Sequence, residues 1–155
     1  NSQSDVPVVT HDLLPTIGDL AGANKYIPKD LDGGSLKELF VEPKANVERN
    51  FDALIFHYPH YNRVGMNEPH SAIRMGDHKL VNFPVSKRSL LFNIKNDPGE
   101  QRDLSEQLPD LVIKLQEKLS NFLESVDAEK PEDAYNWKTT GKSGEVRTKF
   151  FERYK

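Results

Sequence analysis

Between Glu106 and Val126 the chain carries one broad apolar stripe, in which Leu108, Leu111, Val112, Leu115, Leu119, Phe122, Leu123 and Val126 recur at three- and four-residue spacing. Lys114, Glu117, Lys118, Asn121 and Glu124 fall largely off the stripe, so the segment predicts a long amphipathic helix. Pro109 lies within its first turn if Ser105 is the cap, where the missing N–H costs no intrahelical bond. A helix striped in this way must bury its apolar side against another layer.

That layer is legible upstream, where the apolar period changes from helical to extended. Ala53 to Tyr58 is β-prone and stops at Pro59, which cannot donate to a ladder from a central strand. Ser71 to Met75 and His78 to Phe83 flank Gly76-Asp77, a two-residue hairpin signal. Ser89 to Ile94 is a further strand candidate, closed by the turn formers NDPGE. The three later runs predict an antiparallel meander, and Ala53 to Tyr58 a fourth strand. The expected fold class is therefore α+β: a small antiparallel four-stranded sheet with one apolar face, packed against the long C-terminal helix.

The remaining segments are less regular. Val6 to Val9 is β-prone, and Leu13, Leu14, Ile17, Leu20 and Ala21 then recur at helical spacing over about three turns. Thr10 is the expected cap and Gly22 the residue past the last turn, with Pro15 tolerated near the start. ANKYIPKDLDGG reads as a loop, and Ser35 with Glu38 as a capping box for a short helix carrying Leu36, Leu39 and Phe40. Val41 to Asn50 reads as a polar linker. From Ala128 onward the pattern fails; Trp137, Phe150, Phe151 and Tyr154 are isolated aromatics in a charged tail.

Composition narrows the functional classes. Hydrophobic residues make up 36% and the mean hydropathy is -0.67, which suggests exposed segments or a missing partner surface. A formal charge of -3 offers no basic stripe for nucleic acid, and no apolar run approaches a membrane span, so neither partner is expected. The chain has no cysteine, which removes thiolate nucleophiles, thiolate metal sites and disulfides. It opens NSQSDVPVV, without an initiator Met or a basic and apolar leader, and reads as a piece of something longer or a processed chain.

Four of the five histidines, His57, His60, His70 and His78, lie between Ala53 and Val81. His57 and His60 have the spacing of a metal pair, but Pro59 prevents the helical turn that would align them and no acidic partner is placed nearby. Pocket or hydrogen-bonding roles are the stronger reading. Phe56, Tyr58 and Tyr61 are interleaved with them, a pattern that builds a binding wall or a plain core. Arg74 sits inside the β-prone run SAIRM, either on a solvent face or aimed at an anion, and Lys79 raises the same question. Asp12, Asp32 and Asp97 suit capping and turn roles.

The blocks VVTHDLLPTIGDLAG, LDGGSLKELF, ALIFHYPHY, PHSAIRMGDHKLV and LLFNIKNDPGEQRDL, followed by the leucine-rich helix, are collinear over residues 6–126 and together resemble the carboxy-terminal portion of the sulfatase family. The resemblance implies a parent enzyme of alkaline-phosphatase-like α/β architecture that hydrolyses sulfate esters with a formylglycine, made within a (C/S)xPxR motif, and a calcium ion held by Asp and Asn. No serine here is followed by Pro and Arg at those offsets, so the nucleophile and calcium site are expected upstream, with neither catalytic nor metal residues in this segment.

On the same resemblance, residues 1–50 are the end of the catalytic domain, 51–126 its C-terminal subdomain and 127–155 a tail. The helices before the sheet would then close the α/β domain, with exposed Leu13, Leu14, Ile17 and Leu20 meeting a catalytic core. FHYPHY and PHSAIR match the rim of the family's active-site cleft, which makes His57, His60, His70 and Arg74 the candidate substrate contacts. Arg74 and His70 serve equally as ties to the catalytic domain. The implied partners are that upstream domain and a sulfated carbohydrate or other sulfate ester, in a periplasmic or secreted setting; the segment alone would be inactive. A self-standing saccharide-binding module built on the same wall is the alternative.

Overall fold

In a computed structural model, which describes residues 3–61 and 68–131, the first helix starts differently from expectation. Thr10–Asp12 forms a single 3-10 turn and α1 follows over Leu13–Leu20, with Asp12 rather than Thr10 at its cap position and no side-chain cap bond. Asp12 instead reaches back, its Oδ2 accepting the Val9 N–H at 2.8 Å. The far end behaves as read: Gly22 takes φ 64°, and Ala23 N–H donates to the Gly18 carbonyl at 2.7 Å, the bond that closes a left-handed cap. Leu13, Leu14, Ile17 and Leu20 are exposed, as expected for a helix face without a partner among the described residues.

Two readings of the segment after α1 are corrected. Ser35 does not form a capping box: the short helix is a 3-10 turn over Lys37–Phe40 with Leu36 at its cap position, and the Ser35 hydroxyl donates to Asp19 Oδ2 at 2.9 Å while accepting the Lys37 N–H at 3.3 Å. Hydrogen bonds from Asn24 and Ser35 hold the Asp19 carboxyl below its ordinary pKa. Nor is Val41 to Asn50 a featureless linker. Val47 is buried and Arg49 binds Asp12, whose side chain is fully enclosed, so the segment closes the first compact unit, Asn1–Asp52. Gly33 and Gly34 belong to that closure: a β-carbon on either would collide with the carbonyl oxygen of His11 or of Glu48.

The second unit, Ala53–Lys155, contains β1 (Leu54–Tyr58), β2 (His70–Met75), β3 (His78–Phe83), β4 (Arg88–Asn93) and α2 (Pro109–Ser125). The strands form one antiparallel sheet in the order β1-β2-β3-β4, the meander expected from the turn signals. Gly76 opens the β2–β3 turn at φ 57°, and Met75 pairs with His78 across it. β4 is not left as a bare edge, since Leu91 N–H donates to Asp103 and the Leu91 carbonyl accepts from Leu104 N–H.

Register places Ile73, Leu80 and Leu91 in one row, and these residues are fully buried together with Leu115 and Leu119 of α2. The tie between layers is also polar, because Gln116 Nε2 donates to Ser89 Oγ at 2.8 Å. The opposite face is not the polar one expected: Ala72, Val81, Phe83, Leu90 and Phe92 make a second buried cluster with Ile94 against it. The runs AI, LV and LLF in the central strands therefore read as continuous apolar stretches because both faces are buried. α2 is slightly shorter than its stripe, with Leu108 as cap residue and Pro109 first in the helix; Ser105 is engaged instead with Asp103. Trp137, Phe150, Phe151 and Tyr154 lie outside the described residues. Among the described residues no helix is long and apolar enough to cross a membrane.

Candidate functional site

β1 ends at Tyr58 because Pro59 follows, and β2 begins at His70, directly opposite Tyr58. This end of the hairpin gathers three of the candidate histidines. The Tyr58 ring lies edge-on to His60 at 5.7 Å and tilted against His70 at 5.5 Å, and His70 packs on Phe83 at 5.8 Å. His70 Nδ1 lies 2.9 Å from the Glu68 carbonyl and must carry the proton there, since a carbonyl only accepts.

His57 points to the α2 face of the sheet and is held on both nitrogens. Nε2 lies 2.8 Å from the Glu129 carbonyl, so it donates, and Nδ1 lies 2.8 Å from Ser71 Oγ, which donates to it in the neutral ring. Ser71 is almost fully buried, so the pair ties strand to backbone rather than presenting a nucleophile. His60 Nε2 stands 3.7 Å from the Glu129 carboxylate, both groups being half exposed. The residue that receives both histidines was missed by sequence reading. Glu129 follows α2 in what reads as a tail, and its only local signal is the helix stop ahead of Pro131.

That stop is built by Asp127, which takes the left-handed φ 48° usually left to glycine, while Asp127 N–H donates to Glu124 and Ala128 N–H to Leu123. The chain thereby turns back beside β1 and borders an open-mouthed cavity of about 340 Å³. Its walls are His57, Tyr58, Pro59, Pro69, His70 and Ser71 from the first hairpin, Asn82 and Pro84 from β3 and its end, and Ser120, Leu123 and Glu124 from α2; residues 127–131 line the remaining side. Three acidic residues, Glu124, Asp127 and Glu129, are among those that line this space, beside Lys130, His57 and His70.

Arg74 is placed apart from these groups. Four residues beyond His70 on the same strand, it lies roughly 13 Å farther along β2. It stands between Leu54 of β1 and Lys79 of β3, and Lys79 is engaged by Glu100 at 2.7 Å. Arg74 Nε is buried and has no hydrogen-bond partner among the described residues. His78 lies at that same far end, opposite Met75 and Asn93. No group of three or more His, Asp or Glu among the described residues is arranged to hold a metal ion.

Comparison with known proteins gives a consistent picture. The family model for N-sulphoglucosamine sulphohydrolase, C-terminal, matches residues 1–128. Arylsulfatase K of Mus musculus is 27% identical over 119 residues, which is 72% of this chain and 20% of that protein. The structure of BT4656 in complex with its substrate D-glucosamine-2-N,6-O-disulfate is 25% identical with a TM-score of 0.55, over 73% of this chain and 23% of that one. Ps i-CgsB in complex with k-i-k-neocarrahexaose shares the fold, with a TM-score of 0.61 at 23% identity over 96% of this chain and 31% of that one. The chain thus spans about a fifth of the curated relative.

Proposed function

The chain belongs to the N-sulphoglucosamine sulphohydrolase C-terminal family of sulfatases, and from that membership we propose that it is the carboxy-terminal part of a sulfatase that hydrolyses sulfate esters of a carbohydrate. The family match over residues 1–128 carries this reading. The saccharide preference draws support from BT4656, whose bound substrate is a sulfated glucosamine. Residues 1–50 would complete the catalytic domain, 51–126 form the smaller subdomain and 127–155 extend beyond it, in an enzyme working in the periplasm or outside the cell. Formylglycine and calcium do not fit this chain's own residues, which include no (C/S)xPxR motif and, among those described, no ligand cluster. Those groups would belong to the rest of the longer protein.

Within that enzyme the subdomain supports the catalytic body and lines the rim of its cleft. His60 is half exposed and suits a hydrogen bond to a sugar hydroxyl or sulfate, and His70 Nε2, without a hydrogen bond among the described residues, suits a sugar hydroxyl. Arg74, whose buried Nε–H has no partner among the described residues, suits an oxyanion or a carboxylate of the catalytic domain. His57 has both nitrogens occupied and serves by positioning Glu129.

The test is sulfate release from sulfated oligosaccharides by the longer protein, with His60→Ala and Arg74→Ala variants beside it. Lower kcat/KM in both variants with an unchanged Tm is the expected result, together with no turnover by the 155-residue chain alone. Absence of sulfate release from every sulfated saccharide and aryl sulfate tried overturns the reading. Parallel loss of activity and Tm assigns Arg74 to domain packing.

A further inference from the structure

The cavity bounded by His57, Asn82, Ser120, Glu124 and Asp127 is not explained by sulfate binding, and its charge argues against it. Glu124 and Asp127 lie three residues apart at the end of α2, Glu129 closes the same side, and one lysine stands beside them. An anionic sulfate in that space would face three carboxylates, a like-charge arrangement that repels it. The polar groups left over suit a different guest. Asn82 Oδ1 accepts from Ser89 Oγ, whereas its amide N–H groups make no hydrogen bond among the described residues. Glu124 and Asp127 provide acceptors, Ser120 a hydroxyl, and Leu123, Tyr58 and Pro131 apolar walls. A volume of about 340 Å³ is at the small end of the range for small-molecule sites.

We propose that this cavity is a subsite for an unsulfated sugar unit, whose hydroxyls donate to the Glu124 and Asp127 carboxylates and accept from the Asn82 amide. That the guest is a sugar rests on the carbohydrate reading above; that it bears no sulfate rests on the lining alone. The subsite would select chains in which sulfated and unsulfated units are both present, with the unsulfated unit held here.

Asp127 provides a variant that separates binding from folding. Its φ of 48° is strained for any side chain, so Asp127→Gly relieves strain and raises Tm while removing a carboxylate from the cavity. The experiment measures binding of N-acetylglucosamine and of N-acetylglucosamine 6-sulfate to the full 155-residue chain by NMR titration, with Asp127→Gly and Glu124→Gln alongside. Millimolar binding of the neutral sugar is expected, with resonances of Asn82 and Ser120 shifting. The sulfated sugar binds about tenfold more weakly, and both variants weaken the neutral sugar about tenfold while Asp127→Gly melts higher. Absence of neutral-sugar binding, or binding untouched by both variants, overturns the proposal. So does tighter binding of the sulfated sugar, strengthened by Glu124→Gln. Sulfate release by the longer protein is read separately, so failure of the subsite leaves the enzymatic reading standing, and failure of that reading leaves a sugar site that still binds.

Discussion

The guanidinium of Arg49 grips the carboxylate of Asp12 from 37 residues away, with Nε 2.8 Å from Oδ1 and Nη2 2.6 Å from Oδ2. The same carboxylate accepts N–H groups from Val9 at 2.8 Å and Gly34 at 3.0 Å, so four donors converge on one fully buried side chain. Arg49 also donates to the Pro7 carbonyl at 2.9 Å. Removing the guanidinium strands a buried charge, a loss of about 3–5 kcal/mol. Urea denaturation of Arg49→Ala checks this; a loss below about 1 kcal/mol, typical of surface ion pairs, contradicts the burial argument.

Acid should weaken the same unit. Burial pushes the Asp12 carboxyl up, but hydrogen bonds from Arg49, Gly34 and Val9, with the charge of Arg49, outweigh it and hold the pKa below the ordinary 3.8. A group depressed on folding contributes stability that is complete above its unfolded pKa and is lost as pH falls through its folded one. Stability measured by urea titration should therefore decline below about pH 4. In Asp12→Asn the decline should be shallower, and an identical slope in both proteins would remove Asp12 from the acid response.

Gly34 and Gly22 are required for different reasons, and substitution separates them. A β-carbon on Gly34 meets the Glu48 carbonyl oxygen and Val47 Cγ1, so Gly34→Ala forces backbone apart and should cost about 1–3 kcal/mol. Gly22 has open space around it but φ 64°, so Gly22→Ala should cost about 1 kcal/mol through the dihedral alone. Thermal melts of the two variants compare the costs directly.

Local signals carried the strands of the second unit and, in the first, α1 with its stop at Gly22, but not the links that close the first unit. Gly76-Asp77, Pro59 and NDPGE bound every strand, since each acts within a few residues of where it stands, and the meander follows. The buried cluster on the second sheet face was hidden because one-sided and two-sided burial differ only in whether residues such as Ala72 and Val81 interrupt the alternation. Asp12 looked like a cap because its true partner is 37 residues on, in a segment polar enough to pass for a linker. Glu129 was invisible for a related reason. Its contacts with His57 and His60 depend on the turn at Asp127, where an aspartate occupies a position that sequence reading assigns to glycine.

Leu115 and Ile113 lie two residues apart on α2 and differ completely in burial. Leu115 is fully enclosed, in the layer with Leu119, Leu80 and Leu91, while Ile113 is 54% exposed. Leu115→Ala opens a cavity beneath the sheet and should cost about 2–5 kcal/mol. Ile113→Ala should change stability by no more than about 0.5 kcal/mol. Equal effects in denaturant titration would show that α2 does not pack by this stripe.

His57 joins the first hairpin to the segment after α2, so its loss should loosen that segment before it loosens the sheet. His57→Ala removes the bond to the Glu129 carbonyl and leaves Ser71 Oγ without its acceptor. One such bond contributes about 0.5–1.5 kcal/mol net, equivalent to a roughly two- to tenfold faster local opening. The Ala128 N–H, bonded to the Leu123 carbonyl at 2.9 Å, is the reporter: its hydrogen exchange should speed up by that factor while amides of Leu80 and Leu91 stay protected. His60→Ala should have a smaller effect, since its contact with the Glu129 carboxylate is 3.7 Å long and half exposed. Unchanged exchange at Ala128 in His57→Ala, with a lower global Tm, would make His57 a support of the sheet and leave the closing segment held by the turn at Asp127 alone.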